Sequence, residues 1–200
     1  MTKRLERSRT LFDARGQSLI EFALILPLAI VLVLGVVELG YALLDSHIVT
    51  KLSREGSNLI SRDTTLLDAA NAMKNMSTRP VNLNGSSSKL IFSVIRRGAI
   101  SGTTNYNQNI LYQRYEIGGF SASSVLATAG SAAPGPAPDY IFPNSDSNAS
   151  LRVTNLPANL LVVPGGMIYV TEVYTTHTLI TPFNNLGFSI PQTLYSIAYF

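Results

Sequence analysis

The chain has 200 residues, a formal net charge of +3 and no cysteine. This length allows one small domain beside a membrane anchor, and the lack of thiols excludes disulfides, thiolate nucleophiles and cysteine-ligated metals. Residues 1–16 hold five basic and two acidic residues, and the rest of the chain holds ten of each. The basic pI therefore reflects the N-terminal flank and gives no indication of nucleic-acid binding.

An uncharged run from Phe22 to Val37 follows this flank and lies between Glu21 and Glu38. As a helix it is about 24 Å long, and its neighbours on both sides extend it enough to cross a bilayer core of about 30 Å. Five basic residues precede the run, whereas only Lys51 and Arg54 follow it closely. This bias predicts a cytoplasmic N-terminus and an extracytoplasmic domain.

The helix is expected to continue outside the membrane as an amphipathic segment. Apolar residues recur there at steps of three, four and seven, namely Tyr41, Leu44, Ile48, Leu52 and Leu59. Gly56 weakens the pattern, so the helix is expected to end within 55–62. A second helix is predicted over 65–77, with a capping box that begins at Thr65.

Beyond Pro80 the pattern changes to period two. Three segments are predicted as strands, 90–95, 110–117 and 167–174. Residues 118–150 are rich in Gly, Ala, Ser, Pro and Asn and are predicted to form a long, flexible surface loop. Residues 176–180 either extend the third strand or begin another, and residues 193–200 either close the sheet or pack on the helix. The expected fold is α+β, with a long N-terminal transmembrane and amphipathic helix packed on a small antiparallel sheet.

The most specific motif is Gly16-Gln17-Ser18-Leu19-Ile20-Glu21-Phe22, which places a carboxylate five residues after a glycine. An ionised group at the membrane edge is costly unless it is paired. Together with Arg15, Ala23, Pro27 and Gly35-Val36-Val37-Glu38-Leu39-Gly40, this motif resembles the opening of TadE-like pseudopilins. These are type IV prepilin-like proteins of the tight-adherence (Tad/Flp pilus) system. The resemblance is dense over about 15–60, and residues 165–174 with Pro182 resemble the family's last strands.

The resemblance implies that a prepilin peptidase cleaves after Gly16 and leaves Gln17 as the first mature residue. Glu21 would then be the fifth residue and would pair with the terminal amine of a neighbouring subunit. Pro27 removes one helical hydrogen bond and is expected to bend the anchor. Glu38 lies about 26 Å beyond Glu21 along the helix and is expected to reach water or to meet a partner helix.

The function that the resemblance implies is that of a minor pseudopilin in the assembly of Tad/Flp-type pili, and so in adherence, biofilm formation and secretion. Its partners would be the inner membrane, the prepilin peptidase, other pilins or pseudopilins and Tad assembly proteins, and not nucleic acid. The chain would span the bacterial inner membrane once, with a periplasmic domain, and its entry into the pilus stays open. The expected domains are a leader (1–16), a transmembrane helix with its amphipathic extension (17–62) and an extracytoplasmic α+β domain (63–200).

Three alternatives compete with this interpretation. An ordinary signal peptide would need an A-x-A-like cleavage site after the apolar run, and none follows. An uncleaved single-pass anchor whose outer domain binds an envelope ligand would share the same topology. An enzyme is not expected, because His47 and His177 belong to no metal-ligand cluster and no phosphate loop or G-x-S-x-G motif is present. We therefore expect no catalytic residue, no cofactor and no metal.

Overall fold

The structure, a computed structural model, describes residues 10–160, 162–181 and 192–200. Within these ranges the regular elements are α1 (Thr10–Ile60), α2 (Leu66–Met76), β1 (Ser88–Arg97), β2 (Asn109–Ile117), a short 3₁₀ helix (Ala149–Leu151), β3 (Met167–Thr176) and β4 (Thr193–Tyr199). The predicted α+β class is confirmed. Residues 1–9 of the predicted leader and Pro182 lie outside the described residues.

The chain divides into two compact units. The first contains described residues 10–42 and 179–181, and the second contains 43–178 and 192–200. Among the described residues, α1 is the one helix long and apolar enough to cross a membrane, with a mean hydropathy of 2.8 in its apolar stretch. The side chains of this apolar stretch are largely exposed, as Leu24 (73%) and Leu28 (66%) illustrate. Apolar surface of this extent indicates contact with lipid or with other helices.

In the second unit, residues 43–60 of α1 pack on one face of the sheet. The buried positions recur at steps of three and one, and they are Val49, Leu52, Ser53, Gly56, Ser57 and Ile60. The predicted apolar stripe was therefore wrong at its start, because Tyr41 and Leu44 are 46% and 52% exposed. The buried face is marked by small residues rather than by the largest apolar ones.

Two serine hydroxyls explain why this face tolerates polar residues. Ser53 Oγ lies 2.8 Å from Ser196 Oγ, and Ser57 Oγ donates to the carbonyl of Ala198 at 2.9 Å. Each buried hydroxyl thus has a partner on β4, so its burial carries little desolvation cost. Small side chains also allow the helix axis to approach the sheet closely.

The sheet is antiparallel throughout, with the strand order β2-β1-β3-β4. Leu90, Phe92 and Val94 of β1 join Val173 of β3 in the core beneath the helices. The second helix is confirmed, and its predicted cap is present: Thr65 Oγ1 accepts the amide of Asp68 at 3.1 Å.

The two open alternatives at the C-terminal end are resolved by β3 and β4. β3 ends at Thr176, so residues 177–180 neither extend it nor form a strand. The segment 193–200 both closes the sheet and packs on the helix, because β4 pairs with β3 while Ser196 and Ala198 contact α1.

The segment between β2 and β3 covers the other face of the sheet. Leu126, Phe142 and Leu151 are each at most 3% exposed. Leu126 packs with Ile95, Ile168 and Val170, and the Phe142 amide donates to the carbonyl of Tyr112 at 2.9 Å. The segment predicted as a surface loop therefore contributes a third layer to the core, which its Gly- and Ser-rich composition conceals.

Candidate processing and membrane-assembly site

Gly16 lies inside α1, where the backbone is helical. Apart from the backbone of its own helix, no described atom lies within 4 Å of the position that a Cβ atom at Gly16 would take. Glycine inside a helix costs about 1 kcal/mol relative to alanine, and here neither packing nor a left-handed conformation requires it. The described part of the chain thus gives no packing reason for a glycine at this position.

Gln17 and Glu21 lie one helical turn apart, and their side chains are in contact. The side-chain amide of Gln17 donates to Glu21 Oε1 at 3.0 Å, and both residues are exposed. Residues four apart lie on the same helix face. The backbone nitrogen of Gln17 therefore lies one turn before Glu21. The carboxylate has a second oxygen that can accept from another donor. Phe22, beside it, is 63% exposed.

Pro27 also lies within α1, which continues as an α-helix to Ile60. Proline has no amide hydrogen to donate to the preceding turn, so the helix lacks one backbone hydrogen bond at this point.

Glu38 is a buried carboxylate in the first unit and is only 4% exposed. It accepts hydrogen bonds from the amides of Ile180 (3.2 Å) and Thr181 (2.9 Å) and from the Thr181 hydroxyl (2.6 Å). Bonds from several donors stabilise an ionised carboxylate away from water. The structure thus gives Glu38 a partner from its own chain, which sequence reasoning did not predict.

We expect that Glu38→Leu will speed amide exchange at Ile180 and Thr181 by about 10- to 100-fold, because hydrogen bonds to a charged group contribute about 1.5–3 kcal/mol. Hydrogen–deuterium exchange of the full chain in detergent micelles, read by mass spectrometry, measures this. Thr181→Val is the matched control, because it removes the hydroxyl bond and keeps both amide donors. Equal exchange in wild type and Glu38→Leu would show that the carboxylate does not hold this segment.

In the second unit, His177 pairs with Asp45. His177 Nδ1 lies 2.6 Å from Asp45 Oδ2, and the two side chains are 2% and 15% exposed. The contact joins the residue after β3 to α1, which is a structural role. His47 is exposed on α1. Among the described residues, no group of three or more His, Asp or Glu side chains could hold a metal ion.

A buried polar network lies on the sheet face opposite α1. Glu172 is fully buried and accepts bonds from the Ser124 hydroxyl, the Val125 amide (2.9 Å) and the Tyr174 hydroxyl (2.9 Å). Arg114 donates to Ser124 Oγ at 3.0 Å. Burial lowers the pKa of the Arg114 guanidinium, although the charge of Glu172 opposes this. Burial and the bond to Glu172 raise the pKa of Tyr174, which keeps its hydroxyl a donor. The network fixes the covering segment to the sheet.

Comparison with known families concerns the first part of the chain. Residues 16–58 match the family described as TadE-like protein. Over these residues the chain is similar to TadE-like proteins. The resemblance predicted over about 15–60 is confirmed over residues 16–58, which include Gly16, Glu21 and Glu38. The resemblance predicted for residues 165–174 and Pro182 lies outside this match. The similarity of this segment points to the Tad pilus system, and the apolar helix fits a membrane anchor. Searches of the curated proteins and of the solved structures give no match.

Proposed function

We propose that this TadE-like chain is a minor pseudopilin-like membrane protein that takes part in assembling Tad/Flp-type pili. The observation that carries the proposal is the family match over residues 16–58, which includes a glycine and a glutamate at the start of a widely exposed apolar helix. The basic residues before this helix favour a cytoplasmic N-terminus, and the second unit would then lie outside the inner membrane.

In this proposal a prepilin peptidase cuts after Gly16, and the chain is its substrate rather than an enzyme. Two observations and one general property of glycine support the cut at this position. No described side chain packs against Gly16. The next residue, Gln17, is exposed. A glycine offers a peptidase backbone that no side chain covers.

Cleavage would give Gln17 a charged amine next to the membrane. Glu21 of a neighbouring subunit could then pair with that amine, and each charge would be neutralised within an apolar helix bundle. An acidic residue inside a transmembrane helix costs about 2.5–3.5 kcal/mol on insertion scales, so neutralisation favours assembly over separate helices. The exposed apolar side chains of α1 would supply the packing surface between helices.

The substitution Glu21→Ala is expected to abolish piliation and to leave the amount of membrane-inserted protein unchanged, because loss of a charge does not hinder insertion. Electron microscopy of the cell surface and immunoblots of the membrane fraction give the two readouts. The control is Glu55→Ala, which removes an exposed acidic residue of the same helix beyond its apolar stretch. Normal pili on the Glu21→Ala strain would mean that this carboxylate has no assembly role.

A further inference from the structure

β4 is an edge strand whose outer side has no partner among the described residues. Phe200 and Tyr169 exchange both backbone hydrogen bonds, at 2.9 and 3.0 Å. Bonded pairs alternate along an antiparallel ladder, so every second residue of β4 directs its N–H and C=O away from β3. We call this set the β4 edge, and it comprises Thr193, Tyr195, Ile197 and Tyr199.

The composition of β4 does not protect this edge. Natural sheet edges usually carry charged side chains, prolines or a covering segment. The β4 sequence TLYSIAY has neither a charge nor a proline. The opposite edge, β2, is covered, because the Phe142 amide donates to Tyr112 and the Arg114 amide donates to Tyr140 at 3.4 Å. An edge of this kind can accept a further strand through backbone hydrogen bonds.

A groove of about 460 Å³ adjoins the β4 edge. It is lined by Arg54 of α1, by Pro157, Asn159 and Leu160 of the covering segment, and by residues 197–199. Arg54 is exposed and is the one charged residue of this lining. A strand laid along the β4 edge would therefore gain from a carboxylate placed near Arg54.

A second copy of this chain fits the edge poorly. Its β4 has no acidic residue to offer Arg54.

We propose that the β4 edge and the adjoining groove bind an extended, mainly uncharged strand of a different protein, and that a carboxylate of this strand pairs with Arg54. Backbone hydrogen bonds to the β4 edge provide the affinity, and Arg54 selects the acidic strand. This interaction surface belongs to the second unit and does not depend on the pilus role or on leader cleavage.

The test uses two fluorescein-labelled heptapeptides of alternating threonine and valine, one with a central glutamate and one with a central lysine. Binding to the full chain in detergent micelles is measured by fluorescence anisotropy. We expect the glutamate peptide to bind at least ~10-fold more tightly than the lysine peptide. Arg54→Glu is expected to abolish this preference, and Arg79→Glu, with the same charge change at another exposed site, is expected to keep it.

A second pair of variants tests the backbone contribution. Ile197→Pro removes an outward amide that β3 does not use and is expected to prevent binding of both peptides. Ile197→Thr shortens the same side chain, keeps the amide and is expected to bind the glutamate peptide. The proposal would be overturned by equal binding of the two peptides, or by wild-type binding in either Arg54→Glu or Ile197→Pro. Light scattering that shows a dimer dissociated by Ile197→Pro would also overturn it, because a second copy would then occupy the edge.

Discussion

Replacing Glu172 with glutamine is expected to lower the free energy of unfolding by about 3 kcal/mol. Glu172 is fully buried, and its charge is one of the influences that favour the charged form of the buried Arg114. Without this carboxylate, the guanidinium loses its main counter-charge in a site of low polarity, and Glu116, whose side chain is 39% exposed, is the remaining carboxylate that favours its charged form. The bonds to Ser124 and Val125 that hold the covering segment also weaken.

Urea unfolding of the full chain in detergent micelles, followed by far-ultraviolet circular dichroism, measures this change. Glu116→Gln is the matched control, because Glu116 pairs with Lys89 at 2.7 Å but is 39% exposed. Exposed ion pairs contribute about 0–1 kcal/mol, so the control should change stability little. Similar small losses in both variants would show that Glu172 has no special role in holding the covering segment.

The substitution Gly56→Leu is expected to destabilise the second unit by about 3 kcal/mol. A Cβ atom at Gly56 would lie 2.7 Å from Thr171 Cγ2 and 3.2 Å from Phe92 Cε1. The helix would have to move away from the sheet, which would also stretch the contact between Ser57 and Ala198. The gain of about 1 kcal/mol from replacing a helical glycine does not offset this loss.

The control for Gly56 is another glycine of the same helix. A Cβ at Gly40 would meet nothing within 4 Å, so Gly40→Leu is expected to leave stability unchanged or slightly raised. Both variants are compared by their urea midpoints under the same detergent conditions. If Gly56→Leu were as stable as Gly40→Leu, the close approach of α1 to β1 and β3 would not be required.

The elements of the fold that repeat a local pattern could be predicted from the sequence. The period-two segments became β1, β2 and β3, and Thr65 capped α2, because these features depend on nearby residues. The predicted apolar stripe of α1 was wrong in part, because the buried Gly56 and its serine neighbours carry no hydrophobic signal. The two serines are buried against β4, more than 130 residues later in the chain, and Gly56 is buried against Phe92 of β1 and Thr171 of β3.

The candidate site also combines local features, which the sequence shows, with contacts between distant residues, which it does not. The spacing of Gly16 and Glu21 is visible in the sequence, and the family match covers it. The contacts of Glu38 with Thr181 and of Asp45 with His177 join residues more than 130 positions apart. A buried acid near the membrane edge does require donors, but no local pattern could have indicated which residues supply them.

The most direct measurement is the N-terminal sequence of the protein recovered from membranes of strains with and without the prepilin peptidase. We expect a terminus that begins Gln17-Ser18-Leu19 when the peptidase is present, and an intact leader when it is absent. An intact leader in both strains would contradict the pseudopilin role and would favour an uncleaved anchor whose outer domain binds an envelope ligand.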